Sequence, residues 1–131
     1  MAWRTRTLGA SLVTTSLVSA CSDPGACTAD VLPAVAVDVR DASTDSFVAG
    51  LVRGVVTDGA FEDSLRVIGS LGTDPPVPTT LGGADERAGT YAVHLEGAGY
   101  EAWDTAGVRV TRDDCHVRTA TFTARLTPTA P

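Results

Sequence analysis

The stretch Thr90-Tyr91-Ala92-Val93-His94-Leu95-Glu96 decides the fold class of this chain. Its large apolar side chains stand at every second position, and small or polar residues stand between them. Successive side chains of a β-strand point to opposite faces of the sheet. The alternation therefore predicts a strand that buries Tyr91, Val93 and Leu95 and turns His94 and Glu96 towards solvent.

Six further segments have strand character and are separated by turn signals. Asp58-Gly59 predicts a tight hairpin because Gly tolerates a positive φ, and residues 104–107 are predicted to turn. No segment has a convincing helical period. About seven strands with regular turns predict an all-β chain that forms one antiparallel β-sandwich. The six segments are Val35–Val39, Phe47–Thr57, Phe61–Ile68, Tyr100–Trp103, Val108–Val110 and Val117–Leu126.

Two places fit this pattern less well. Asp63 falls on the apolar side of its strand by parity, which indicates a bulge or a later strand start. Residues 69–89 contain Asp74-Pro75-Pro76-Val77-Pro78 and are predicted to form a long loop, because proline cannot donate to a regular ladder. Long loops are often functional or mobile. The sequence leaves open whether this loop is a passive insertion or a contact surface.

The first twenty residues have the layout of a secretory signal peptide. Arg4 and Arg6 form a short basic start, Leu8–Val18 carries no charge, and two small residues follow it. The apolar stretch is shorter than the roughly 20 residues that a membrane-spanning helix needs. We therefore expect residues 1–20 to be removed during export.

The end of this signal, Val18-Ser19-Ala20-Cys21, resembles the bacterial lipobox, in which an aliphatic residue and two small residues precede a cysteine. The resemblance implies that Cys21 is lipidated and becomes the first residue of the mature protein. Two or more acyl chains would anchor it to a bacterial membrane. Ser22 stands where inner-membrane lipoproteins of enteric bacteria have Asp, which favours the outer membrane in a cell with two membranes. The alternative is an ordinary secreted protein with a chance cysteine at the cleavage site.

The cysteine count is consistent with lipidation. The chain has three cysteines, an odd number for an exported protein. Lipidation of Cys21 leaves Cys27 and Cys115, and an oxidising compartment favours a disulfide between them. The alternatives are two free thiols, or a metal pair joined by His94 and His116, although the spacing fits no zinc pattern.

The mature chain, residues 21–131, is long enough for one domain. We expect a tether at 21–30, the sandwich at 31–126 and a flexible tail at 127–131. Loss of the two signal arginines leaves eight arginines against sixteen acidic residues, so the net charge changes from −6 to −8. This charge argues against a nucleic-acid partner, whose phosphates require a basic surface. We expect a monomer.

A family resemblance extends over about residues 31–126. Gly89-Thr90-Tyr91-Ala92-Val93, followed by Gly99-Tyr100, resembles the signature of carboxypeptidase regulatory-like domains. The first strand and turn, Val35–Asp41, are also similar to those domains. The resemblance implies a transthyretin-like, immunoglobulin-type sandwich in which Tyr91 packs in the core and Gly99 turns the chain so that Tyr100 crosses it. Domains of this family accompany enzymes, receptors and adhesins without being catalytic themselves.

Few residues offer catalytic chemistry. The serines and histidines include no nucleophile elbow, and no phosphate loop or dinucleotide fingerprint is present. We therefore expect a non-catalytic protein without a cofactor. Asp38, Asp41 and Asp45 cluster near one predicted turn, which leaves calcium binding as an alternative.

Tyr100 and Trp103 are the candidate ligand contacts, because sugar-binding sites use exposed aromatic rings and both residues lie near a predicted turn. The expected function is that of a membrane-anchored, non-catalytic lipoprotein that serves as a structural or protein-interaction module of the cell envelope. The alternative is a surface module that binds carbohydrate, peptide or calcium. An exposed Trp103 beside residues 69–89 would favour the alternative, and a buried Trp103 would favour the first interpretation.

Overall fold

The computed structural model describes residues 25–131, which form a two-sheet β-sandwich of eight strands with one turn of 3-10 helix at Ala49–Leu51. The predicted all-β sandwich is confirmed. The strands are β1 Val35–Asp41, β2 Val52–Asp58, β3 Phe61–Ser64, β4 Arg66–Leu71, β5 Val77–Gly83, β6 Gly89–Gly97, β7 Trp103–Val110 and β8 Ala120–Leu126.

Each sheet has four strands. One has the order β4-β5-β1-β8 and the other β3-β2-β6-β7. All pairs are antiparallel except β1 and β8, which run parallel over their whole length, from Val35 beside Ala120 to Asp41 beside Leu126. The sandwich is therefore antiparallel with one parallel pair, a departure from the fully antiparallel arrangement that the sequence predicted.

The core lies between the two sheets and is built mainly from aliphatic side chains. β1 buries Val35, Val37 and Val39 completely, and β6 contributes Tyr91 and its two alternating neighbours from the facing sheet. Between the buried residues of β6 the side chains are exposed or half-buried. The alternation predicted for residues 90–96 is confirmed.

The chain passes from one sheet to the other at Leu65. The single strand predicted at Phe61–Ile68 is in fact two strands: β3 pairs with β2, whereas β4 pairs with β5 in the other sheet. The Leu65 amide donates to Gly54 O over 2.8 Å, and a Cβ on Gly54 would lie 2.6 Å from Leu65 Cδ1. Asp63 turns inward as its parity indicated, and its Oδ2 accepts a hydrogen bond from the Ala84 amide.

The prediction of a long loop at residues 69–89 is wrong. β4 continues to Leu71, and β5 occupies Val77–Gly83 between β4 and β1. Pro78 is accommodated because it pairs only with Ser70 of β4, while the pairing of β5 with β1 starts at Thr80. Pro78 therefore lies outside the ladder between β1 and β5, at a position where only one neighbouring strand pairs with it.

Other predicted boundaries are also wrong. The turn predicted at residues 104–107 lies within β7, where Gly107 has a φ of 72° and a register shift opposite Tyr91 and Val93 absorbs one extra residue. β7 begins at Trp103 rather than Tyr100, and β8 begins at Ala120 rather than Val117. The strand predicted at Phe47–Thr57 begins only at Val52, because the 3-10 helix precedes it.

The chain end is paired as far as Thr129. The Glu101 amide donates to Thr127 O, and the Thr129 amide donates to Gly99 O, each over 2.9 Å. Pro128 forms a bridge with Tyr100. The tail predicted as flexible from residue 127 is thus hydrogen-bonded over its first half.

The sandwich has two ends that differ in chemistry. We call the end with Cys27 and Cys115 the disulfide end, where β1 starts, and the end with Asp41 and the 3-10 helix the far end, where β1 finishes. A strand of this length separates the two ends by about 23 Å.

Candidate functional site

The disulfide predicted between Cys27 and Cys115 is confirmed, with a Cα–Cα distance of 5.2 Å. The Asp113 carboxylate shapes the turn that presents Cys115, because its Oδ1 accepts hydrogen bonds from the amides of Cys115 and His116. These two bonds lower the pKa of Asp113, with the bond from His116 the larger cause. A persistent disulfide indicates an extracytoplasmic domain.

Glu86 joins three segments of the chain beside the disulfide. Its Oε1 accepts a bond from the Leu32 amide over 2.9 Å and another from His116 Nδ1 over 2.8 Å. Its Oε2 accepts the Val117 amide over 3.3 Å. These bonds hold the pKa of Glu86 below its usual range, the Leu32 amide making the largest contribution. The opposite ring nitrogen of His116 contacts Thr28 Oγ1 at 3.0 Å, which ties the entering chain to the same cluster.

The predicted lipidation residue, Cys21, lies outside the described residues. Within residues 25–131 there is no helix of the length and apolarity that crossing a membrane requires.

Tyr100 uses its hydroxyl inside the fold. The hydroxyl donates to Asp41 Oδ2 over 2.9 Å, and Asp41 Oδ1 accepts the amides of Ser43 and Thr44. The amide of Thr44 is the largest cause of the lowered pKa of Asp41, and the bond to the Asp41 carboxylate raises the pKa of Tyr100. The phenol group of this candidate ligand contact is therefore already paired, although its ring lines a surface depression.

Trp103, the second candidate, stacks on Phe122 across the two sheets. The ring centroids are 6.1 Å apart and the planes differ by 21°. Trp103 is half-buried on β7, the edge strand of its sheet, and its stacking partner Phe122 is on β8, at one edge of the facing sheet. β4 and β5 lie at the opposite side of that facing sheet. Tyr100 and Trp103 therefore have different partners and do not form one aromatic platform.

Two open depressions lie side by side at the far end, a feature that was not predicted. The first has a volume of about 630 Å³ and is lined by Leu51, Tyr100 and the end of β6. The second has a volume of about 400 Å³ and is lined by Leu51, Phe47 and residues 76–78. Leu51 and its neighbour Gly50 belong to both, and we call the two depressions together the far-end groove. The small residues Gly50 and Gly97 were the sequence signal, since they leave space where larger side chains would fill it.

The aspartates near the first turn, Asp38, Asp41 and Asp45, each interact with different groups of the protein. Asp38 accepts the Thr80 hydroxyl over 2.6 Å, and Asp45 pairs with Arg40 and Arg125. Residues 25–131 contain no group of three or more His, Cys, Asp or Glu side chains placed to hold a metal ion.

His94 lies on the outer face of β6, as its parity predicted, with 44% of its side chain exposed. Its Nδ1 lies 2.6 Å from Asp104 Oδ1, and this hydrogen bond is the largest cause of the raised pKa of His94. Glu96 lies further away, at 3.8 Å from His94 Nε2. The three side chains form an exposed polar cluster on the sheet surface.

Comparison with protein-family models, with curated proteins and with solved structures found no match to this chain. The disulfide end holds the entering chain through the Cys27–Cys115 bond, and the far end offers an open surface lined by both apolar and polar groups.

Proposed function

We propose that this chain is an exported, lipid-anchored and non-catalytic β-sandwich that contacts other proteins of a bacterial cell envelope. The observation that carries the proposal is the Cys27–Cys115 disulfide, which ties the entering chain to the sandwich a few residues after Cys21. A lipid on Cys21 would hold the disulfide end close to the bilayer. The far end would then face away from the membrane.

The carboxypeptidase regulatory-like resemblance stays part of this proposal. Its two structural expectations have support: Tyr91 is completely buried, and Gly99 has a φ of 85° in the turn that leads to Tyr100. A positive φ is a conformation that glycine adopts at little cost. A domain of this kind would support or connect other proteins rather than catalyse a reaction.

The non-catalytic part of the proposal rests on the family resemblance. The Thr28 hydroxyl lies 3.0 Å from His116 Nε2, and His116 Nδ1 lies 2.8 Å from Glu86 Oε1, which is the order of groups found in a catalytic triad. Because Glu86 also accepts the amides of Leu32 and Val117, we assign these three side chains to holding the entering chain in place.

Substitution of the lipidation residue tests the anchor. We expect the wild-type protein to enter the detergent phase after phase separation and to incorporate labelled palmitate. The Cys21→Ser chain should be exported without label and should remain in the aqueous phase. Ser22→Ala is the matched control, because it changes the neighbouring residue and keeps the thiol. A Cys21→Ser chain that still enters the detergent phase would contradict the proposed anchor.

The 630 Å³ depression favours a second candidate function, that of a ligand-binding module on the cell surface. The stacking of Trp103 on Phe122 weighs against carbohydrate, because one face of the ring is occupied. A thermal-shift screen with glycans, peptides and calcium checks this candidate. Its support would be an increase in Tm with one ligand class, and no increase with any class would exclude it.

A further inference from the structure

We infer that the far-end groove is a docking site for an extended peptide segment of a partner protein, one that carries aliphatic side chains next to Lys or Arg. This inference rests on the proposed function, since it names the surface and the chemistry through which an anchored sandwich would contact its partner.

The apolar character of the groove comes from exposed aliphatic side chains. Leu51 is 66% exposed and stands between the two depressions. Val77 is 48% exposed and lines the second depression, and its strand partner Leu71 is 57% exposed. Each exposed aliphatic residue by itself is ordinary, but a group of them around open depressions is typical of an interaction site.

The shape of the groove comes from small residues. A Cβ on Gly97 would lie 2.7 Å from Leu51 O, and a Cβ on Gly50 would lie 3.2 Å from Pro78 Cγ. The missing side chains let the main chain at Leu51 approach Gly97 and let the Pro78 ring approach Gly50, and Ala98 and Ala102 continue the shallow wall. An open and shallow depression suits an extended segment that places alternate side chains into it.

The charge around the groove selects the partner. Glu101 lies between two lining residues, Tyr100 and Ala102, and Asp74 lies two residues before the lining residue Pro76. Both carboxylates are exposed, and neither has an ion-pair partner within the described part of the chain. Two cations lie at the rim, and both are paired. Arg53 pairs with Glu96 at 3.3 Å, and Arg40, whose guanidinium lies 3.8 Å from the ring centroid of the lining residue Phe47, pairs with Asp45.

This charge distribution favours a basic segment over the other occupants. A second copy of the chain would bring its own far-end carboxylates against these, in a protein with a net charge of −6. An anionic lipid surface would be repelled in the same way. A segment with Lys or Arg beside its aliphatic residues would instead pair with Glu101 and Asp74.

Binding of defined peptides to the full exported chain carrying Cys21→Ser tests the inference. The first probe is a short fluorescein-labelled peptide in which Val and Leu alternate with Lys. The second replaces each Lys by Glu, and the third keeps Lys but replaces Val and Leu by Ser. Fluorescence anisotropy should show the first probe binding about tenfold or more tightly than either of the others. Added salt should weaken it without abolishing it.

Matched surface variants locate the binding site. Leu51→Asp and Glu101→Arg should each weaken the first probe by about fivefold or more. Val31→Asp and Glu62→Arg make the same kinds of change at exposed positions at the disulfide end, and should leave binding unchanged. Circular dichroism confirms that each variant is folded, and the exposed Glu101 provides a second test if Leu51→Asp fails to fold.

Several results would overturn the inference: no binding of the first probe, equal binding of the three probes, or equal losses from the variants at both ends. Sedimentation that shows a dimer sensitive to Leu51→Asp would also overturn it, in favour of self-association. None of these results depends on a lipid at residue 21. Failure of the groove and failure of the proposed anchor are therefore separate outcomes.

Discussion

Glu86 and His116 are joined by a hydrogen bond of 2.8 Å between Oε1 and Nδ1, directly beside the disulfide. Glu86 has a φ of 52°, a left-handed conformation that is uncommon for a residue with a side chain. The backbone of Glu86 also contacts Leu32, since the Glu86 amide donates a hydrogen bond to Leu32 O. The start of the domain and the segment after Cys115 are thus held by one carboxylate.

Truncation of Glu86 should destabilise the domain. Glu86→Ala leaves the amides of Leu32 and Val117 without their acceptor, and unpaired donors in a partly buried position cost free energy. We expect Tm to fall by about 5 °C or more in a domain of this size. Glu62→Ala is the control, because Glu62 is exposed and its removal should leave Tm nearly unchanged. Differential scanning calorimetry at neutral pH gives both values, and equal Tm values for the two variants would contradict the role of Glu86.

Acid should destabilise the domain through three carboxylates. The pKa values of Asp41, Glu86 and Asp113 are all lowered in the folded state, chiefly by hydrogen bonds from backbone amides. A lowered folded-state pKa stabilises the protein above the unfolded pKa, roughly 4, and this contribution is lost as pH falls through the folded value. Unfolding by urea should therefore become easier below about pH 5. Glu86→Gln should show a smaller loss over the same range, and an identical pH profile would count against this assignment.

The bond between Tyr100 and Asp41 gives a spectroscopic prediction. The Asp41 carboxylate accepts a hydrogen bond from the Tyr100 hydroxyl, and this bond raises the pKa of Tyr100. Asp41→Asn removes the charge, so one tyrosine in an ultraviolet titration should ionise at lower pH than in the wild type. Tyr100→Phe should lose that transition and about 1 kcal/mol of unfolding free energy, as expected for a partly exposed hydrogen bond.

The sequence was sufficient for those features that depend on local patterns. Burial of Tyr91 and its alternating neighbours followed from parity alone, and the hairpin at Asp58-Gly59 followed from turn chemistry. The Cys27–Cys115 pair followed from cysteine counting. Each of these inferences needs no knowledge of the partner strand.

The features that were missed depend on distant neighbours. Pro78 fits in β5 at a position that β1 leaves unpaired. The passage of the chain from one sheet to the other at Leu65 requires that residue 54 has no side chain. Glu86 lies far in sequence from the amides that it binds, so neither period nor composition could indicate its role. The far-end groove forms where the 3-10 helix meets residues 76–78. The sequence predicted a long loop at residues 69–89 and therefore gave no indication of this contact.

A methyl group at Gly54 should disturb the passage of the chain from one sheet to the other at Leu65. Its Cβ would lie 2.6 Å from both Leu65 Cδ1 and Leu95 Cδ2, inside van der Waals contact. Gly54→Ala should therefore cost about 1–3 kcal/mol, the usual range for overpacking in a core. In a Leu65→Ala background, Gly54→Ala should cost less than in the wild type, because one of the two clashing groups is gone. Urea unfolding of the two single variants and the double variant measures this difference, and an equal cost in both backgrounds would show that the cost arises elsewhere.

Removal of the disulfide should be the most destabilising change that leaves the core intact. The two cysteines are 88 residues apart, and closing a loop of that length stabilises by at most about 4–5 kcal/mol in the chain-entropy model. Reduction should lower the urea midpoint strongly, and Cys27→Ser/Cys115→Ser should match the reduced wild type. The Cys21→Ser chain is the control, since its midpoint should stay at the oxidised value until reductant is added. Mass measurement without reductant should show the loss of two hydrogen atoms from the oxidised chain. If reduction leaves the midpoint unchanged while the mass confirms the bond, the hydrogen bonds of Glu86 and His116 hold the entering chain in place without the disulfide.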